Sequence, residues 1–195
     1  MDDEQDSFSL EGRMLLAMPS LGDKRFDRAV ILICAHDEEN GAMGLVVNHC
    51  LPKVDFREVL NELTIPSDIE VNLADVMVPV FMGGPVEGTR GFLLHSNDFR
   101  QKDTIDIDEI FRVTGTVEVL QDVARGGGPQ ERLFILGYAG WTPGQLEQEI
   151  KNNAWLVSEP DPDIIFHPQY SEKWGLAVQK MGIDPGMLSS QSGNA

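Results

Sequence analysis

Along this chain, apolar residues gather in short runs separated by polar connections rich in glycine and proline. The densest pattern is RFDRAVILICAHDEENGAMGLVVN, residues 25–48. Two apolar runs, residues 29–35 and 45–47, flank a polar connection, residues 37–44, that holds Gly41 and Gly44. Val30, Ile31, Leu32 and Ile33 suit a strand buried on both faces. The glycines supply the positive φ of a chain reversal, so the segment predicts strand, loop, strand. Two-residue periodicity then sets Cys34 and His36 on one face, with Cα atoms about 6.6 Å apart.

The remaining pattern is read the same way. Residues 13–18 (RMLLAM) predict a first strand stopped by Pro19. Asp55 and Glu58 have capping-box spacing, and Phe56, Val59, Leu60 and Leu63 share a helical face closed by Pro66. Residues 76–82 (VMVPVFM) predict a strand with Pro79 at an edge or bulge, and Gly83-Gly84-Pro85 turns the chain into residues 91–95 (GFLLH). That strand–GGP–strand pattern predicts an antiparallel pair. Residues 104–107 form a further short strand. Val117, Leu120, Val123 and Ala124 recur at helical spacing before the stop GGGP at residues 126–129.

Residues 132–138 (RLFILGY) are a second apolar strand, followed by Ala139-Gly140-Trp141. Thr142-Pro143-Gly144-Gln145 predicts a capping box with proline at the first helical position, then a helix through Leu146 and Ile150. Residues 155–157 form a strand. Residues 171–181 form the last helix, with Trp174, Ala177, Val178 and Met181 inward and Gly182 as its stop. Antiparallel hairpins followed by helices predict an α+β fold. The domain spans residues 10–188, between a disordered acidic N-terminus, residues 1–9, and a mobile tail, residues 189–195.

Charge narrows the partners. Fifteen Lys and Arg against 32 Asp and Glu give a net charge of −17, and no basic cluster is visible. Phosphate backbones and anionic lipid are repelled by such a surface, so neither direct nucleic-acid binding nor membrane association is expected. No apolar run reaches the roughly 20 residues of a membrane span. The acidic start MDDEQDSF and two cysteines, with no disulfide framework, fit the cytoplasm.

Candidate chemistry is sparse. Cys34 and His36 pair a thiol with a base, the parts of a cysteine-dependent enzyme or thiol redox sensor; the alternative is that Cys34 is a small buried hydrophobe. Cys34, His36, His49 and Cys50 are soft ligands, but His49 and Cys50 are neighbours that a strand would point apart, and neither CxxC nor HExxH occurs. No metal or cofactor is expected. In GYAGWTPGQ, Trp141 stands before a helix N-terminus, either as an aromatic anchor for another molecule or as a hydrophobic staple. The glycine-rich hairpin loop, GGP turn and GYAGW segment together predict a ligand or partner surface. Its residues are His36, Asn48, Gly83, Gly84, His95 and Trp141.

Four blocks carry a resemblance: FDRAVILICAHDEENGAMGLVVN, VFMGGPVEGTRGFLLH, LGYAGWTPGQLEQEIKNNAWL and IDPGMLSSQSGNA. In order and in content they are similar to the YqgE/AlgH family, across nearly the whole chain. The family commonly has Glu before the histidine, where this chain has Ala35. The resemblance implies a single α+β domain whose branched antiparallel sheet curls into a pseudo-barrel with flanking helices. It also implies a label as transcriptional regulator, without an established catalytic set. The function expected is therefore a regulatory or binding protein that affects transcription indirectly, through an unidentified protein or small ligand.

Overall fold

The computed structural model describes residues 9–54, 58–59, 78–115 and 117–188. Among these residues nine strands form one sheet, in the order β6-β7-β5-β8-β3-β2-β1-β9, with β4 attached to β8 off that path. They are β1 (Met14–Ala17), β2 (Val30–Asp37), β3 (Gly41–Val46), β4 (Val80–Met82), β5 (Val86–Ser96), β6 (Thr104–Asp106), β7 (Phe111–Thr114), β8 (Arg132–Trp141) and β9 (Trp155–Ser158). Among the described residues, four helices of four or more residues accompany them: α1 (Val117–Ala124), α2 (Gln145–Lys151), α3 (Pro162–Ile165) and α4 (Lys173–Lys180). Every pairing but β4 with β8 is antiparallel, and the sheet curls into a half-barrel in a single α+β domain.

β8 is the branch point. Its first half pairs with β5 on one side and β4 on the other, and its second half pairs with β3. The predicted β4–β5 hairpin is therefore corrected: the two strands lie on opposite sides of β8, and the GGP turn carries the chain across it. That crossing needs backbone against backbone. A Cβ on Gly83 would lie 2.3 Å from the Gly137 carbonyl oxygen, and one on Gly84 would lie 2.2 Å from the Tyr138 carbonyl carbon. Only glycine fits there.

Both faces of the sheet are buried. One carries Met14, Leu16, Leu32, Cys34, Leu45 and Ile135 under α3 and α4, and the other carries Leu15, Ile31, Ile33, Trp141 and Trp155 under Leu146 of α2. Leu120 and Val123 of α1 cover Val80, Leu93 and Phe134 as their helical spacing predicts, and Val119, which is not in the predicted set, joins them. In α4, Trp174, Ala177 and Val178 face inward as expected, but Met181 lies beyond the helix and is exposed. The predicted helix from Asp55 to Pro66 lies outside the described residues except for Glu58 and Val59, which are helical; the two terminal segments lie outside them too, save Ser9.

One charge is built into the core. Lys173 is fully buried, and its ammonium donates to the carbonyls of Val47 (2.8 Å) and Ile165 (2.6 Å), with the Phe81 ring centre 5.2 Å away. It ties α4 to α3 and to the chain leaving β3. Burial pulls its pKa from 10.5 down to about 7. Between about pH 7 and 9 the unfolded lysine holds a proton that the folded one has shed, so stability rises with pH. Chemical denaturation at pH 7, 8 and 9 should show a rise of at most about 1.4 kcal/mol per unit in the wild type relative to Lys173→Met. Equal slopes in both proteins would show that Lys173 keeps its proton on the two carbonyls.

Candidate functional site

The central hairpin behaves differently from its periodicity. β3 runs from Gly41, so the turn is confined to residues 37–41 and Gly44 lies within the strand. Asp37 builds that turn: its carboxylate accepts the backbone N–H groups of Glu39 (2.7 Å) and Asn40 (2.6 Å). Hydrogen bonds from Asn40 and Glu39 hold its pKa below the usual carboxylate range.

Register also shifts in β2 between Ile33 and Ala35. This bulge inverts the alternation. Ile33 pairs with Gly44, Ala35 with Met43 and His36 with Ala42. Cys34 therefore stays on the Leu32 face, whereas His36 emerges on the Ala42 and Trp141 face. The expectation that Cys34 and His36 share a face is corrected. Cys34 is 5% exposed, and burial pushes its thiol up to about 12, with Glu11 adding to the effect. A thiol so placed supplies no thiolate near neutral pH.

His36 has other partners. Its side chain is 3% exposed. The backbone N–H of Leu10 donates to Nδ1 (3.1 Å), so Nε2 carries the ring proton and donates to Glu147 Oε1 (2.7 Å). Burial works to raise the Glu147 pKa, but its backbone N–H, His36 and Lys151 together hold it below the ordinary value. Both ring nitrogens are engaged, so His36 is a joint between the hairpin, α2 and the chain before β1.

Trp141 is buried, and its indole N–H donates to Glu149 Oε2 (2.9 Å). The same oxygen accepts the Trp155 indole (2.7 Å), and the two rings meet edge to face at 6.0 Å. Gln145 Oε1 accepts the Thr142 N–H (3.0 Å), which is half of the predicted capping box. The helix itself starts at Gln145, however, with Gly144 at φ 76° as its cap, so Pro143 is not its first residue.

A groove of about 660 Å³ opens beside this joint. Ala35, Met43 and Gly140 form a cross-strand row, and Tyr138, Val86 and Arg90 stand at one side. Glu11, Asp37 and Asn40 stand among the polar lining residues. Arg90 comes from residues 87–90, four residues of β5 that stand opposite Gly137 alone. Its guanidinium lies 5.2 Å from the Phe92 ring centre, which in turn meets Tyr138 edge to face at 6.1 Å.

Of the six residues expected at a surface, His36 and Trp141 border the groove, with their side chains buried on the face of the sheet opposite Ala35. The other four lie elsewhere. Asn48 accepts the Val30 N–H (2.8 Å) and donates to the Arg28 carbonyl (2.8 Å), closing the base of the hairpin. Gly83 and Gly84 are buried in the β8 crossing. His95 is fully buried between the Ser96 carbonyl and the Thr114 hydroxyl, and burial lowers its pKa. Arg90, Tyr138 and Glu11 were not singled out from the sequence. The available signal was the polar stretch EGTR between two apolar strands. Among the described residues no group of three or more His, Cys, Asp or Glu could hold a metal, and no helix is long and apolar enough to cross a membrane.

Two outcomes follow from this geometry. Removing the buried indole in Trp141→Ala should cost about 3–5 kcal/mol in thermal or denaturant unfolding. An unchanged melting curve would mean that the ring is not packed. Cys34 should label with iodoacetamide at pH 8 only after denaturation, read by peptide mass spectrometry; labelling of the native protein at the rate of a free thiol would restore it as a nucleophile.

The AlgH-like family model matches residues 14–186. A UPF0301 protein of Bradyrhizobium diazoefficiens is 48% identical over 190 residues, covering 95% of this chain and 88% of that one. Another, from Rhodopseudomonas palustris, is 47% identical over 190 residues, covering 95% and 87%. The solution structure of the AlgH protein from Pseudomonas aeruginosa superposes with a TM-score of 0.78 at 34% identity, over 100% of both chains. A crystal structure from Corynebacterium diphtheriae, 22% identical over 87% and 85% of the two chains, shares the fold with a TM-score of 0.70. By family model, close relatives and fold together, this chain belongs to the AlgH-like UPF0301 family.

Proposed function

We propose that this chain is a cytoplasmic regulatory binding protein that works through its groove, by contact with a protein or small ligand, and affects transcription indirectly. The observation that carries this reading is the convergence at the groove. The acidic hairpin tip, the looped-out start of β5 and the segment from Tyr138 to Pro143 are far apart in sequence and line one depression. Its floor is made of small residues, Ala35 and Gly140, and its walls of Met43, Val86 and Tyr138. Small floors and aromatic walls let another molecule approach the backbone. The net charge of −17 argues against a grip on DNA. The thiol-enzyme alternative draws no support from Cys34, which is buried on the face opposite His36.

Ala35 is exposed on the groove floor, so Ala35→Trp fills the depression without touching the core. Affinity capture of metabolites and proteins with the wild type and with Ala35→Trp should return at least one partner that the wild type holds and the filled variant loses by tenfold or more, at equal melting temperature. Partners retained equally by both would place binding elsewhere. Gel-shift titration on duplex DNA at about 0.15 M salt should show no specific submicromolar complex; such a complex would overturn the indirect reading.

A further inference from the structure

We infer that His36 is a proton-operated latch on the groove, holding Leu10 and Glu11 in place while its imidazole is neutral and releasing them when Nδ1 is protonated. The inference rests on reading the groove as the binding site, since what the latch regulates is one of its walls. Its basis is the assignment of both ring nitrogens. Nδ1 is an acceptor because Leu10 N–H, 3.1 Å away, has only hydrogen to offer it, and Nε2 therefore donates to Glu147. An imidazolium has no acceptor. When Nδ1 takes a proton from solvent, two N–H groups point at each other across 3.1 Å, and that contact must open.

The segment that must move is short and has a hinge. Gly12, at φ +76°, donates to the Ile33 carbonyl (2.9 Å), and Ile33 donates to the Arg13 carbonyl (2.9 Å), so the ladder against β2 begins at Gly12. N-terminal to it, Leu10 is held by the His36 bond, by the Arg13 N–H that its carbonyl accepts across the turn (2.9 Å), and by its fully buried side chain; the first of these is the one that protonation breaks. Glu11, between hinge and latch, lines the groove. Release of Leu10 therefore carries a carboxylate off the groove and opens the pocket of Ile33, Trp141 and Leu146 to which Leu10 belongs.

The charges around the ring are few. Glu147 of α2 accepts from Nε2, Asp37 follows in β2, and Glu11 stands on the released segment. Lys151 of α2 acts on Glu147, and Arg90 of β5 lines the same groove as His36 and Glu11. The facing residues of β3 and β8, Ala42 and Trp141, bring no charge. An imidazolium thus keeps its Glu147 bond, now as an ion pair, while losing only the bond to Leu10. Protonation is directional: one nitrogen holds on and the other lets go.

The test needs no ligand. Hydrogen exchange of the Leu10 amide is followed by NMR from pH 5 to 8 on the full chain, corrected for intrinsic rates, with the His36 ring nitrogens titrated in parallel. The expected result is a tenfold or greater loss of Leu10 protection that tracks ring protonation, with Ile31 and Leu32 unchanged. In His36→Asn, whose amide oxygen replaces Nδ1 as a non-titrating acceptor, Leu10 protection should not vary with pH. The latch is overturned if the ring protonates while Leu10 stays protected. It is equally overturned if the ring does not titrate over this range, or if protection falls alike in wild type and His36→Asn. Should the asparagine variant not fold, the coincidence of the two wild-type titrations decides. A silent latch leaves the groove reading standing, whereas failure of Ala35→Trp to alter binding removes the groove reading and leaves the latch measurement valid.

Discussion

The structure depends on one close approach, the passage of Gly83 and Gly84 over Gly137. β8 has three strand partners because the chain can leave β4, cross β8 and return as β5 on its other side. Any side chain at the crossing would push the backbones apart, since the projected Cβ distances lie below 3 Å on both sides of the contact. With the crossing in place, β8 continues far enough to pair Ala139 and Gly140 with β3, and the two parts of the sheet become one half-barrel.

The groove is a by-product of the same crossing. Residues 87–90 have no partner along β8 because Gly137, at φ +71°, occupies the position opposite them. They loop out and bring Arg90 toward Phe92 and Tyr138. On the far side the β2 bulge sends Ala35 to the groove floor and His36 to the other face. Two local irregularities of pairing, one in β5 and one in β2, therefore make a depression out of a continuous sheet. Irregular pairing of this kind re-aims side chains that regular alternation would bury.

Three polar side chains, of which Lys173 is fully buried and the two glutamates partly so, tie helices to that sheet. Glu149 gathers two indoles, Glu147 holds His36, and Lys173 caps two carbonyls. Each is satisfied by hydrogen bonds, and no described buried side-chain polar atom lacks a partner. A buried hydrogen-bonded group costs more if its partner is removed than it contributes when complete, so Lys173 fixes where α4 sits more than it adds to stability.

By itself the sequence determined the strands around Ile31, Leu93 and Phe134, the inward faces of α1 and α4, and the family to which four motif blocks point. These are local properties: apolar periodicity and turn residues act within a few positions of the chain, and the same chemistry that forms the element is printed in it. The side of β8 on which β4 lies, the face to which His36 turns and the burial of Lys173 were decided only by tertiary structure. GGP reads as a hairpin turn because a local pattern cannot register Gly137, more than fifty residues away. Cys34 and His36 read as one face because a bulge leaves no mark on alternation; it is set by the register of β3, which depends on Gly44 packing against Ile31 and Ile33. Lys173 opens a helix as a surface lysine would, and only the carbonyls of Val47 and Ile165, brought together by the fold, let it sit in the core.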